Sequence, residues 1–346
     1  MKTEKRLKIG INGFGRIGRA IFRRNLHENK FDVVVINELN DELDSIAYSL
    51  KYDSLHGILD EDVQATEDGI ALNNQKIRIF SERAIEDVPW NDYDVDVIIG
   101  CTGSLANVDN AKKCLGKSVK KVVFSDSPAN VDLTIVMGVN DREYDHENHD
   151  VIAASICDVV GTAPVIKLLD EKFGVESGYF LTLHPWLFYQ NLLDGKPTSS
   201  AYKDHPGTYL AMGRASANTL IPKRTSIVPA LERIFPQIKG KTQGMSFRVP
   251  TDLVSSAYVS LQLGTDTTIE EVKTLIQEAV KEPVLGYTEE PLVSTDYRHH
   301  KYSAVVDGKW IEVLDNRNLR LISWYDNEWG YSANVLNIVL HIAENF

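Results

Sequence analysis

Near the start of the chain, Gly13-Phe14-Gly15-Arg16-Ile17-Gly18 stands between an apolar run, Lys8-Ile9-Gly10-Ile11, and a helix-like stretch through Ala20, Ile21 and Phe22. A G-x-G-x-x-G string between a strand and a helix restricts the chain to a tight βα turn. Its glycines let the backbone approach a pyrophosphate, and the helix N-terminus supplies N–H donors and the positive end of its dipole. The string alone is weak, because glycine-rich turns are common, and its context decides. The next apolar run is Val33-Val34-Val35-Ile36, and Glu38 follows Gly18 by 20 residues. A carboxylate at that place accepts hydrogen bonds from a ribose hydroxyl and repels a 2′-phosphate, so NAD is expected rather than NADP. Arg16 and Arg19 are both read as lying near phosphate, and Arg16 has the alternative of a solvated helix face.

Further runs keep this rhythm. Val95-Asp96-Val97-Ile98-Ile99-Gly100 ends in Cys101-Thr102-Gly103, and Lys121-Val122-Val123-Phe124 ends in Ser125-Asp126-Ser127. Helical stretches at 43–50 and 108–115 alternate with the strands. Such alternation specifies a Rossmann-type, doubly wound parallel sheet with helices on both faces. Small polar residues just past strand ends suit the ligand crevice of an open α/β sheet. Beyond residue 156 the pattern changes, and runs at 254–263 and 302–306 indicate an α+β domain with a mixed or antiparallel sheet. A chain of 346 residues has room for about two domains of roughly 150 residues each. We divide it into an NAD-binding domain over 1–156 and a catalytic domain over 157–319. A last helix over 332–345 follows, with Val335, Leu336, Ile338, Val339 and Ile342 as its apolar positions.

Charge excludes some partners. The net charge of −12 argues against nucleic acid and anionic membrane, because no broad basic surface is available to replace phosphate counterions. A small anionic substrate held by one or two arginines stays open. The three cysteines, Cys101, Cys114 and Cys157, are too few for a disulfide framework and lack the paired spacing of a zinc site. No signal-like segment and no membrane span is read, so a reducing cytoplasm is the expected location.

Cys157 precedes a helix expected over 161–173. A cysteine near a helix N-terminus has its thiolate favoured by the dipole and N–H groups, and its pKa is expected to fall. The alternative is a small apolar core residue. His184 ends a strand read over 179–183, and an imidazole there suits acid–base work on a thiol. Spacing alone does not fix their distance. Cys101 reads as buried and inert, and Cys114 falls on a helix with no partner signal.

The motifs taken together resemble the phosphorylating glyceraldehyde-3-phosphate dehydrogenase family from end to end. The matching stretches are KIGINGFGRIGR, VDVIIGCTG, VMGVN, GKTQGMSFRVPT and LISWYDNEWGYS. Cys157 stands seven residues before Pro164 and 27 before His184, the places of that family's nucleophile and base. The resemblance implies thiolate attack on an aldehyde, a thiohemiacetal, hydride transfer to NAD, and a thioester cleaved by an acceptor. It implies cofactor contacts from Gly13, Phe14, Gly15, Arg16, Ile17, Gly18, Glu38, Arg83, Thr102, Gly103, Ser125, Asn327 and Tyr331. Asn327 would fix the nicotinamide amide and Tyr331 would pack near the ring. Arg248, Thr225 and Arg214 are the implied substrate contacts. A phosphorylated aldehyde as substrate, a glycolytic role, a homotetramer, the return of the last helix to the NAD domain and the absence of a metal are implied on the same ground.

The departures from that pattern cluster. Asp158, Val159 and Val160 replace two threonines and an asparagine, and Gly161 replaces a second cysteine. Leu187 and Tyr189 stand at threonine positions, Met212 at an arginine position, and Lys223-Arg224 precede Thr225-Ser226. A carboxylate at Asp158 would repel phosphate and raise the thiol pKa. Lys223, Arg224 and Arg214 either rebuild an anion site or form a basic loop paired with acids. The segment 186–189 lines a less polar pocket or packs a subunit interface. The expectation is an intact NAD-dependent, thiol-based aldehyde oxidation. Its alternatives are a changed aldehyde or acceptor, or a NAD-binding paralogue without turnover.

Overall fold

The computed structural model describes residues 6–39, 42–73, 75–197 and 206–346. Residues 198–205 of the aromatic-rich segment 186–210 lie outside the described residues. The chain forms two compact units, Met1–Ser155 with Ser332–Phe346, and Ile156–Tyr331.

The first unit is built on a nine-stranded sheet. From one edge its strands are Leu133–Thr134, Val151–Ala153, Lys121–Phe124, Val97–Gly100, Lys8–Asn12, Asp32–Asn37, Gln75–Phe80, Gly69–Leu72 and Val63–Ala65. The first seven run parallel. The last two add antiparallel pairings at the edge. Central strands such as Val97–Gly100 and Lys121–Phe124 are buried along their whole length. That is why they read as unbroken apolar runs rather than alternating ones. The chain begins on a middle strand, Lys8–Asn12, which has Asp32–Asn37 on one side and Val97–Gly100 on the other. Strand order therefore reverses across Lys8–Asn12, and a doubly wound sheet opens its crevice at such a point.

The helix expected over 108–115 is divided. It is an α-helix over Leu105–Asn110 followed by a 3-10 turn over Ala111–Cys114. Asn107 and Val108, then Ala111 and Cys114, are the buried positions. The last helix runs over Trp329–Ala343, and its residues from Ser332 onward belong to the first unit. Within that unit Asn334 accepts from the Met137 N–H at 3.0 Å and donates to the Ala154 carbonyl at 3.2 Å.

The second unit carries a seven-stranded mixed sheet, ordered Ile221–Lys223, Thr242–Val249, Val175–Pro185, Ser255–Leu263, Asn318–Tyr325, Ala304–Leu314 and Leu285–Thr288. Two pairings are parallel and the rest antiparallel. Strand Asn318–Tyr325 alternates half-buried and buried residues along its length, the period-two signature of a strand with one face in a core. The helix expected to start at 161 starts at Ala163, with Pro164 in its first turn. Proline suits that place because its missing N–H would have no intrahelical partner. Ahead of it stands a separate turn of helix, Cys157–Val160.

Candidate active site

In the first unit, register aligns the candidate cofactor residues. Asn12 pairs with Asn37 and with Gly100, Gly100 pairs with Phe124, and Asn37 pairs with Phe80. Five strands thus end at one level. The segments leaving them carry Gly13 to Gly18, Glu38, Thr102 and Gly103, Ser125, and Arg83.

Gly13 has φ +96°, and a Cβ there would fall 2.8 Å from Thr102 Cγ2. A Cβ on Gly18 would fall 2.2 Å from the Gly13 carbonyl oxygen. Only glycine fits either place. Gly15 instead faces open space, with no atom within 4 Å of a Cβ position. It is the N-cap of helix Arg16–Glu28, which has no side-chain cap. An uncapped helix N-terminus opening on free space is what a pyrophosphate requires. Glu38 accepts from the Phe14 N–H and, at 2.9 Å, from the Leu39 N–H, which fixes the carboxylate beside the turn. These residues fit a dinucleotide.

The Arg16 side chain donates to Asp53 at 2.6 Å. Burial opposes ionisation of Asp53, but N–H bonds from His56 and Leu55 together with Arg16 bring its pKa to about 2. Arg16 is therefore an ion-pair partner in its helix's surroundings, and its backbone rather than its guanidinium stays at the turn. Arg19 donates to the Phe14 carbonyl at 2.8 Å. Thr102 accepts from Asn107 Nδ2 at 3.0 Å. Ser125 hydrogen-bonds Cys101, whose thiol burial nonetheless pushes to about 12. Cys114 is pushed to about 12 by burial as well. Arg83 is exposed.

In the second unit, Cys157 opens the short helical turn and His184 lies on strand Val175–Pro185. Cys157 Sγ is 3.5 Å from His184 Nε2. His184 Nδ1 is 2.8 Å from the Pro185 carbonyl oxygen. A carbonyl only accepts, so Nδ1 carries the hydrogen and Nε2 presents its lone pair to sulfur. His184 pairs in register with Arg248 on the neighbouring strand. Lys223 pairs with Ser246, two residues before Arg248. The period of two puts His184, Arg248 and Lys223 on one sheet face, and all three are buried. Arg248 reaches the Pro185 carbonyl and Tyr189 Oη, each at 3.5 Å. Its Nε is buried without a protein partner.

Asp158 completes the cluster. Its Oδ1 is 3.8 Å from Cys157 Sγ and accepts from the Tyr325 hydroxyl at 2.8 Å. The Cys157 sulfur, a carboxylate oxygen of Asp158 and a ring nitrogen of His184 all lie within 4.8 Å of one another. The helical turn holds this geometry. Thr162 Oγ1 donates to the Asp158 carbonyl at 2.7 Å, and Ser323 Oγ donates to the Gly161 carbonyl at 2.6 Å. Gly161 has its own reason, since a Cβ there would fall 2.3 Å from the Tyr325 ring.

Of the two opposed influences read on the Cys157 pKa, the lowering by a helix N-terminus does not prevail, and the rise expected from Asp158 is present. Burial first, then the Asp158 carboxylate, push the thiol well above its ordinary range, against the pull of Arg248 and Lys223. A single turn of helix does not offset desolvation. Burial, then Arg248, push His184 well below its ordinary range. The resting pair is a neutral thiol facing a neutral imidazole. Lys223 is brought down to about 8 by burial and then by Arg248, against the pull of Asp158 and Cys157.

The basic residues at 214, 223 and 224 do not assemble as one site. Lys223 points into the cluster, while Arg224, the next residue, is exposed, as alternation along a strand dictates. Arg214 is exposed and bonds Asp194 at 2.8 Å. Thr225 Oγ1 accepts from the Ile227 N–H at 3.1 Å. Met212 is buried. Asn327 and Tyr331 are buried as well, and Asn327 Oδ1 has no protein partner. Sequence reasoning missed Tyr325 as the partner of Asp158. Its only signal was a tyrosine inside LISWYDNEWGYS, and no local pattern says what its hydroxyl meets.

A Rossmann-type dinucleotide unit, joined in one chain to an α+β unit that sets a cysteine against a histidine, defines the class of thiol-dependent nicotinamide dehydrogenases. Comparison with known proteins narrows that class. Residues 7–108 match the glyceraldehyde 3-phosphate dehydrogenase NAD binding domain, and residues 156–327 match the C-terminal domain of the same family. The chain is 39% identical over 341 residues to glyceraldehyde-3-phosphate dehydrogenase 2 of Bacillus subtilis, covering 98% of this chain and 97% of that one. It is 40% identical to glyceraldehyde-3-phosphate dehydrogenase 1 of Bacillus cereus, covering 97% and 98%. It is 38% identical to the Geobacillus stearothermophilus enzyme, over the same shares. The chain belongs to the glyceraldehyde-3-phosphate dehydrogenase family, and its cofactor is NAD.

Proposed function

We propose that this protein oxidises a phosphorylated aldehyde of the glyceraldehyde 3-phosphate type, with Cys157 as nucleophile and His184 as base. The observation that carries this is the 3.5 Å contact between Cys157 Sγ and a His184 Nε2 left unprotonated by the Nδ1 bond to Pro185. His184 takes the thiol proton as sulfur attacks the aldehyde carbon, so a raised thiol pKa does not prevent reaction. The proton passes to the new hydroxyl of the thiohemiacetal. His184 removes it again as the carbon is oxidised, and an acyl group remains on sulfur. When bound, NAD supplies the hydride acceptor. The Cys157 N–H is assigned to the developing oxyanion.

Arg248 and Lys223 are assigned to the substrate's anionic group. Their support is two buried cations on one sheet face, one with an orphaned Nε. Thr225 and Arg214 have the weaker support of residues already engaged with Ile227 and Asp194. Asn327, with its orphaned Oδ1, and Tyr331 are assigned to the nicotinamide end of the cofactor. Gly13 to Gly18 are assigned to its pyrophosphate and Glu38 to its adenosine ribose, with Thr102, Gly103, Ser125 and Arg83 around them.

The assembled form is assigned as a homotetramer. Phe188, Leu192 and Leu193 support it, being 80%, 73% and 81% exposed in the single chain. The cytoplasm is the assigned location. In keeping with it, the three cysteines are free and no described helix is long and apolar enough to cross a membrane. The testing experiment is rapid-mixing NADH formation with glyceraldehyde 3-phosphate. A burst of one NADH per chain, lost in Cys157→Ala, is expected. No NADH from the unaltered protein, or undiminished NADH formation by Cys157→Ala, would overturn the assignment.

A further inference from the structure

We propose that water, activated by Asp158, is the acceptor that clears the acyl group from Cys157, so that the chain releases a carboxylic acid rather than an acyl phosphate. This rests on the thioester of the proposed function and deepens it by naming the second half-reaction.

The geometry carries the argument. An acyl carbon on Cys157 lies one bond from a sulfur that is itself 3.8 Å from Asp158 Oδ1. A nucleophile must come within about 3–3.5 Å of that carbon to react. A general base must lie within about 2.6–3.2 Å of the proton it takes. These two reaches together exceed the 3.8 Å between Sγ and Oδ1, so the step needs no more than one water between the acyl carbon and this carboxylate. Asp158 is only 4% exposed and is steadied by the Tyr325 hydroxyl at 2.8 Å. It is therefore a fixed group at the reacting atom rather than a mobile surface acid.

The same carboxylate disfavours inorganic phosphate. An attacking phosphate would set its negative charge against Asp158 in a buried site, where like charges repel far more strongly than in water. Relief would need cations of its own. The cations that act on Cys157 are Arg248 and Lys223, and the substrate's anionic group takes them. Elsewhere Arg214 lies exposed on Asp194, Thr225 Oγ1 is turned to the Ile227 N–H, and Leu187 is apolar. Among the described residues of this unit, one group of buried cations faces the thiol, which suffices for one anion. Water needs none.

The step balances. Water oxygen bonds to the acyl carbon, its proton passes to Asp158, and the carbon–sulfur bond breaks. The departing thiolate takes the proton that His184 acquired during oxidation. Asp158 then loses its proton to solvent, and the new carboxylic acid, which holds the water's other proton, ionises as it leaves. Over a turnover, one aldehyde, one NAD and one water give one carboxylate, one NADH and two protons.

The test uses the full chain with NAD and glyceraldehyde 3-phosphate, with and without inorganic phosphate, in water enriched in oxygen-18. Steady-state NADH formation is expected to be indifferent to phosphate, and the product carboxylate to carry one heavy oxygen. Asp158→Asn is expected to keep the one-equivalent burst and to lose about 100-fold in steady-state rate, the usual scale of a general base. Asp158→Thr, which removes the charge, is expected to make the steady-state rate rise with added phosphate. A phosphate-dependent rate with an acyl phosphate product in the unaltered chain would overturn the proposal while leaving the proposed oxidation intact. Loss of the burst in both Asp158 variants would overturn it too, by placing Asp158 in acylation or folding. Absence of any NADH formation in the unaltered chain would overturn the oxidation, and this proposal with it.

Discussion

Cys157 opens its helical turn beside the Asp158 carboxylate, with Sγ 3.5 Å from His184 Nε2. Burial and Asp158 hold the thiol protonated, so its alkylation by iodoacetamide should keep rising with pH beyond the ordinary thiol range. Asp158→Asn removes one of the two causes. It should speed labelling of Cys157 at neutral pH by roughly tenfold, the effect of one pKa unit on thiolate population. Peptide mass spectrometry reads this directly, with Cys101 and Cys114 as internal references. Lys223 gives a second pH-dependent outcome. It is charged below a pKa of about 8 and loses that charge as pH rises through it. KM for a phosphorylated aldehyde should therefore climb above pH 8, and Lys223→Arg should flatten the climb. The sign for stability is opposite. Below about pH 8 the folded chain bears a buried ammonium. Between 8 and the ordinary 10.5 only the unfolded chain keeps the proton, so this group's contribution becomes more favourable as pH rises.

At the scale of elements, packing explains substitutions that residue chemistry does not. The turn Cys157–Val160 and strand Asn318–Tyr325 meet where Gly161 leaves room for the Tyr325 ring. Gly161→Ala should cost about 1–3 kcal/mol of stability, as overpacking does, and should loosen the Tyr325 bond to Asp158. Thermal melting reads the first effect, and the burst-to-steady-state ratio reads the second. In the first unit, Asp126 follows strand Lys121–Phe124. Burial raises its pKa from 3.8 to about 6, and its Oδ1 is without a partner. A carboxyl raised on folding gives its full stabilisation below the unfolded value and loses it as pH climbs through the folded one. Asp126→Asn should then stabilise the chain at pH 7 by an amount of order 1–3 kcal/mol. That advantage should fade towards pH 4, as melts across that range would reveal.

For the molecule as a whole, the exposed run at Phe188, Leu192 and Leu193 makes a prediction about assembly. Sedimentation should find a tetramer, and Leu193→Glu should shift it to smaller species, because a carboxylate in an apolar interface is costly to desolvate. A monomer in the unaltered chain would remove that assignment. Much of the fold was legible in the sequence because its signals are short in range. The glycine turn, the unbroken apolar runs of buried parallel strands and the run at 254–263, a strand over Ser255–Leu263, each follow from backbone sterics and burial within a few residues. The helix at 108–115 was legible only as a helix, since its change to a 3-10 turn depends on the core that Ala111 and Cys114 enter.

The two-domain α/β plan and the glycine turn with Glu38 could be read along the chain, and the family resemblance singled out Cys157 and His184. Those properties depend on local geometry or on the residues present. Folding in three dimensions set Cys157 and His184 3.5 Å apart, brought the Tyr325 hydroxyl to Asp158, and turned Lys223 inward while Arg214 goes to Asp194. It also decided the direction of the thiol pKa. Desolvation is a sum over everything packed around a group, and no run of neighbours along the chain encodes that sum.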